Sequence, residues 1–147
     1  MSIQTTLTEI EDEQHPFSRV DNGIIEPPTH PDWEYGGVTN QSDDQSMTYA
    51  ADLPTPGYEC SEKTLLVVEY TTFCPDYPFD AGFTVGLYPF DGNGEFEGMI
   101  QPRLTVGVYQ RLREALRNVE QTLEKLAALE PGEGIIINDK PLRRPED

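Results

Sequence analysis

The chain has 147 residues and a formal net charge of −17, from 27 acidic and 10 basic side chains. Nucleic acids and anionic membranes repel such a polyanion, so we expect neither as a direct partner. The sequence lacks the apolar run of roughly eighteen residues that a membrane-spanning helix needs, and its N-terminus lacks the pattern of a signal peptide. We therefore expect a protein of the cytoplasm or of a virion that is not secreted by a signal peptide.

The acidity has two explanations that composition does not separate. Arginine outnumbers lysine by seven to three. This balance suits a protein from a high-salt cytoplasm, where excess acid keeps a halophilic protein soluble. An acidic surface that serves a function would produce the same composition.

Residues 1–57 carry eleven acids against one base, Arg19, and contain six prolines. A segment with so little apolar surface and so much net charge cannot offset the entropy cost of its own folding, so we predict an extended acidic arm. Its large aromatic residues Phe17, Trp33 and Tyr35 are expected to anchor the arm on a protein surface, because aromatic side chains bury large areas at a small entropic cost. That surface belongs either to this chain or to a neighbouring subunit.

Residues 58–138 have the pattern of a compact domain. The apolar run at residues 64–73 predicts a central strand, and residues 82–90 predict a second strand. The sequence DGNG at residues 91–94 predicts a hairpin turn, because glycine and asparagine tolerate positive φ. Residues 95–104 predict a third strand with one face toward water.

A long helix is predicted at residues 107–129. Its apolar residues recur at helical spacing and form one stripe: Val108, Leu112, Ala115, Leu116, Val119, Leu123 and Leu126. Pro131 and the glycines beside it end the helix, residues 135–138 predict a last strand, and residues 139–147 predict a polar tail. The predicted fold class is α+β, an antiparallel β-meander packed against one long amphipathic helix, with an extended acidic N-terminal arm. A coiled-coil seam that includes Tyr109 is the alternative use of the stripe.

Familiar catalytic signatures are absent from the sequence, including the P-loop, His-Glu-x-x-His and Gly-x-Ser-x-Gly motifs. Its two histidines, His15 and His30, both precede proline in the predicted arm, where nothing rigid holds them as a general base. Cys60 and Cys74 flank the predicted strand at residues 64–73, which is too long for a disulfide to bridge, so we expect free thiols. We predict that the chain is not an enzyme and has no cofactor and no metal site.

Four arginines lie within fifteen residues around the start of the predicted helix: Arg103, Arg111, Arg113 and Arg117. The helix dipole already presents positive charge there, so these arginines are unfavourable unless negative charge lies close to them. Local pairing with Glu114 and Glu120 is one explanation. The other is a patch that receives an acidic segment, either from this chain's arm or from a neighbouring copy.

These features favour a non-enzymatic structural or interaction protein of a multi-subunit assembly, with a virion component as the most specific version. Its partners are expected to be other protein subunits, including its own copies, onto which the N-terminal arm ties. One alternative is an acidic inhibitor that mimics nucleic acid and blocks a DNA-binding protein. A second alternative is a small enzyme of unknown chemistry.

Overall fold

Five strands lie in the described parts of residues 34–109, and an amphipathic helix follows them. The computed structural model describes residues 17, 20, 25–41, 44–57, 62–71, 82–90 and 104–146. The elements in these ranges are β1 (Glu34–Gln41), β2 (Asp44–Ala51), β3 (Lys63–Thr71), β4 (Gly82–Phe90), β5 (Leu104–Tyr109), α1 (Leu112–Ala127), β6 (Gly134–Ile137) and β7 (Lys140–Arg143).

The first five strands form one antiparallel sheet in which each strand pairs with its neighbour in sequence. The predicted α+β class is therefore confirmed. The strands predicted at residues 64–73 and 82–90 are confirmed as β3 and β4. Both runs are rich in branched and aromatic residues, which suit the pleated surface of a sheet.

The main core lies on one face of this sheet. The register aligns Met47, Val68 and Val85 in one row across β2, β3 and β4, and all three side chains are fully buried. A smaller cluster occupies the other face and contains Leu65, Val67 and Tyr88. Both faces of β3 are therefore buried, which explains why its sequence is apolar without alternation.

Helix α1 packs on the core face of the sheet, against β3, β4 and β5. Its buried residues form one stripe: Leu112, Ala115, Leu116, Val119, Thr122, Leu123 and Leu126. Each large apolar side chain of the stripe contributes about 1.5–3 kcal/mol by leaving water. Because the stripe is already buried against the chain's own sheet, the structure favours this packing over the coiled-coil alternative.

The predicted helix start at residue 107 is wrong. Leu104–Tyr109 form strand β5, which pairs with β4. The sequence LTVGVY has branched residues that suit a strand as well as apolar spacing that suits a helix, and the backbone partners along β4 decide between them. Val108, predicted on the buried stripe, is 46% exposed. The helix also ends at Ala127, earlier than the predicted end at residue 129.

Within residues 1–57, where the sequence predicts an extended arm, the structure describes two strands, β1 and β2, that belong to the sheet. In β2, the buried residues Met47, Tyr49 and Ala51 alternate with half-buried ones. Such alternation stabilises a strand only when a neighbouring strand lies beside it, and β3 fills that place. Composition averaged over residues 1–57 hides this pattern.

The prediction of a polar tail over residues 139–147 is wrong for Lys140–Arg143, which form β7. This strand pairs with β6 in a hairpin separate from the main sheet. Asn138 and Asp139 connect the two strands with positive φ angles of 51° and 64°, as a two-residue hairpin turn requires. The predicted last strand is confirmed as β6. Leu142 of β7 is buried in the main core, so this hairpin is part of the fold.

Several predicted features lie outside the described residues. These are the hairpin turn at residues 91–94, residues 95–103 of the strand predicted at 95–104, the thiols of Cys60 and Cys74, and His15. Their predictions stay predictions.

Buried hydroxyl groups hold the loop that joins β2 to β3. Thr64 is fully buried, and its hydroxyl donates to the Leu53 carbonyl at 3.0 Å. Thr55, also fully buried, donates to the Lys63 carbonyl at 3.2 Å, and the two hydroxyl oxygens lie 3.1 Å apart. Side chains therefore satisfy the Leu53 carbonyl in the loop and contact the Lys63 carbonyl at the start of β3.

Thr64→Val tests this contact, because it removes the hydroxyl and keeps the shape of the side chain. We expect the free energy of unfolding to fall by about 1–2 kcal/mol, since the Leu53 carbonyl loses a donor in a buried site. Chemical denaturation measures the change. Gln121→Ala, at an exposed position of α1, is the control and should change the value by less than about 0.5 kcal/mol. A Thr64→Val protein as stable as the wild type would contradict this role.

Candidate interaction surfaces

A tight turn places Trp33 in the core. The Trp33 N–H donates to the His30 carbonyl at 2.9 Å, and the Asp32 N–H donates to His30 Nδ1 at 3.2 Å. Pro31 occupies the second position of this turn, where its fixed φ is favourable. Trp33 then lies directly ahead of β1, and its side chain is 6% exposed. The prolines around the tryptophan therefore fix its position.

The other two predicted anchors also pack on this chain's own sheet. Phe17 is fully buried, its ring centroid lies 5.7 Å from that of Phe83, and its N–H donates to Gln45 Oε1 at 3.2 Å. Tyr35 of β1 is half-buried, with its ring centroid 5.2 Å from that of Tyr49. The sequence left open whether these anchors pack on this chain or on a neighbouring subunit. The contacts described here are with this chain. A role for the three residues toward another subunit stays a prediction.

Fluorescence reports on this packing, because Trp33 is the only tryptophan of the chain. We expect blue-shifted emission, since the indole is removed from water. Trp33→Ala should lower the free energy of unfolding by about 3–5 kcal/mol through loss of a buried aromatic side chain. Ile136→Ala, at a side chain that is 71% exposed, should change it by less than about 0.5 kcal/mol. Emission at the wavelength of free tryptophan would show that Trp33 does not occupy the core.

Three of the four arginines predicted to form an anion-receptive patch lie together at the start of α1. Arg113 and Arg117 are exposed and one helical turn apart. Arg111 is half-buried at the N-cap, and its buried Nη1 has no hydrogen-bond partner among the described residues. Arg103 lies outside those residues. The grouping of three is observed, and their binding of an acidic segment stays a prediction.

The alternative of local pairing between these arginines and glutamates is not found in the described part of the chain. The ion pairs there are Lys63–Asp52 at 3.4 Å and Arg143–Glu146 at 3.0 Å. The charged residues exposed on α1 are three acids and three bases: Arg113, Glu114, Arg117, Glu120, Glu124 and Lys125. Their charges cancel, so this face is not the single-sign surface that a nucleic-acid mimic needs.

Among the described residues, the outer edge of β1 has no neighbouring strand. β1 is eight residues long and, among the described residues, pairs only with β2. Glu34 is its one charged residue, and Val38–Gln41 contain neither charge nor proline. Sheet edges expose unpaired N–H and C=O groups that can accept another strand, and charges, prolines or bulges usually block them. β1 has a bulge between Tyr35 and Gly37, and the strand beyond it is regular.

The opposite edge of the sheet, β5, is partly covered. The Asn138 side chain, in the turn between β6 and β7, donates to the Thr105 carbonyl of β5 at 2.9 Å. A register shift opposite Val85 and Gly86 also places a bulge in this edge. The hairpin is held in turn by the Gly57 N–H, which donates to the Arg143 carbonyl. The two edges of the sheet therefore differ in how readily they accept a further strand.

Two buried tyrosines differ in how their hydroxyl groups are satisfied. Tyr88, on the sheet face away from α1, donates to Glu69 Oε1. The Tyr49 hydroxyl, in the main core, has no hydrogen-bond partner among the described residues. Burial raises the pKa of both tyrosines, and the hydrogen bond to Glu69 and the charge of that carboxylate raise the pKa of Tyr88 further.

Stability should therefore fall as the pH rises above about 10, because the tyrosines of the unfolded chain then lose protons that the folded chain retains on Tyr49 and Tyr88. Below that pH this contribution is fully present. Near pH 7, Tyr88→Phe should lower the free energy of unfolding by about 1 kcal/mol through loss of the bond to Glu69, whereas Tyr49→Phe should not lower it. Urea titrations at neutral and alkaline pH measure both effects. Equal losses in the two variants at neutral pH would contradict the assignment.

Comparisons with known proteins return nothing for this chain: no protein family, no curated protein and no solved structure matches it. Within the described ranges, no helix is long and apolar enough to cross a membrane. The same ranges contain no group of three or more His, Cys, Asp or Glu residues that could hold a metal ion. The candidate surfaces come from this chain's own geometry.

Sequence reasoning selected the aromatic residues of the N-terminal segment and missed the strand edge beside them. The signal for β2 was present in the alternation of SMTYAA at residues 46–51, and a strand there needs a neighbouring strand. The polar sequence of β1 carries no comparable pattern. Only its pairing with β2 reveals Val38 and Thr39 as edge residues.

Proposed function

We propose that this chain is a non-enzymatic structural or interaction protein of a multi-subunit assembly, which contacts neighbouring subunits through its N-terminal segment. The open outer edge of β1 carries the proposal. A strand that adds to such an edge links two chains by main-chain hydrogen bonds. A virion or another shell of many copies is the most specific version, since such assemblies repeat one contact between identical subunits.

The charge distribution supports a protein partner. The net charge of −17 disfavours nucleic acid and anionic membranes. Along β1 only Glu34 is charged, so a neighbouring strand can approach Val38–Gln41 without burying or opposing a charge on β1. The acidic residues elsewhere then maintain solubility, while an uncharged strand makes the contact.

Size fractionation of a native extract from cells that make this chain tests the proposal. We expect the chain to elute in complexes heavier than its 16.6 kDa monomer. Thr39→Lys places a charge at an exposed position of the β1 edge and should shift the chain toward monomer mass. Gln121→Lys, at an exposed position of α1, is the matched control and should elute as the wild type does. A wild-type chain that is folded, as judged by Trp33 emission, and still elutes as a monomer would contradict the proposal.

A further inference from the structure

The register between β1 and β2 determines which backbone groups point outward. The two strands pair as far as Gln41 and Asp44, which are separated by two residues. When two antiparallel strands are joined by only two residues, the two residues of the closing pair bond to each other through both their N–H and their C=O groups. Bonded and non-bonded pairs then alternate along an antiparallel ladder. The register is unbroken from Gln41 back to Gly37, so the alternation holds over this segment.

The alternation assigns each residue of the segment to one side. Thr39, paired with Ser46, is two positions from the closing pair and directs its backbone groups toward β2. Val38 and Asn40 are in non-bonded pairs, so their N–H and C=O groups point away from β2. The N–H and C=O groups of Val38 and Asn40 are therefore the ones that can bond to a further strand at this edge.

We propose that β1 from a second copy of this chain adds to this edge in antiparallel orientation, with Thr39 facing Thr39 across a two-fold axis. This inference rests on the proposed function and names the partner of that edge. In this register Val38 of each copy lies opposite Asn40 of the other. Their outward groups then form two hydrogen-bonded pairs, which flank the axis. The result is one continuous sheet with five strands from each copy.

The arrangement matches the symmetry and the charges of the edge. A two-fold contact uses the same surface on both copies and closes on itself, so this contact by itself joins two copies. The paired segment Gly37–Gln41 is uncharged, and Glu34 lies beyond it. Within this segment, no like charges therefore face each other across the axis. The remaining obstacle is repulsion between two chains of charge −17, so added salt should strengthen the association by screening.

Charge substitution at Thr39 tests the register directly, because residues that face each other across an antiparallel pair lie side by side. We expect wild-type protein to move from 16.6 kDa toward twice that mass as its concentration and the salt concentration rise. Thr39→Lys and Thr39→Glu should each weaken this association by about fivefold, since each places two like charges opposite one another. An equal mixture of the two variants should associate at least as tightly as the wild type.

Sedimentation equilibrium measures these masses, and Trp33 emission verifies that each variant is folded. Gln121→Lys, which adds the same charge at an exposed position of α1 away from this edge, is the matched control and should associate like the wild type. Folded Thr39→Lys protein that dimerises as tightly as the wild type, or a mixture that stays monomeric, would overturn the inference. Wild-type protein that is monomeric at every concentration but heavy in the native extract would also overturn it. That last result would leave the proposed function standing, with a partner of different sequence.

Discussion

The unbroken register of β2, β3 and β4 is the constraint on which the rest of the structure depends. It aligns Met47, Val68 and Val85 in one fully buried row, and α1 packs on the face that this row defines. A slip of one residue in any of these strands would turn its side chains to the opposite face. The apolar stripe of the helix would then lose its partner surface. Register and helix packing therefore stabilise each other.

The N-terminal segment joins this sheet although its composition is acidic and rich in proline. The turn at His30–Trp33 fixes the approach to β1, and Phe17 packs beside Phe83 at the start of β4. Charged and polar side chains of the segment can stay in water while its few aromatic ones enter the core. Phe17 and Trp33 are buried in their own chain, so among the described residues of the segment the backbone of β1 is what remains to meet a neighbour.

The two edges of the sheet differ in how their unpaired backbone N–H and C=O groups are covered. At β5, the Asn138 side chain donates a hydrogen bond to the Thr105 carbonyl, and a bulge interrupts the ladder. At β1, the regular and uncharged segment from Val38 to Gln41 has no such cover among the described residues. In a chain with this much net charge, long-range repulsion limits unspecific association. An open edge is then compatible with solubility and with one specific contact.

The sequence by itself determined the α+β class, strands β3 and β4 and the buried stripe of α1, because each has a strong local pattern. It also selected Phe17, Trp33 and Tyr35 as residues that pack on a protein surface, without deciding which surface. Only the tertiary structure decided that residues 104–109 form a strand, that residues 34–51 join the sheet, and that residues 140–143 complete a hairpin. Each of these segments is too short or too polar to hold its conformation alone, so its neighbours decide. The outer edge of β1, which has no neighbouring strand among the described residues, is likewise a property of pairing, because no residue type marks the side on which a strand lacks a partner.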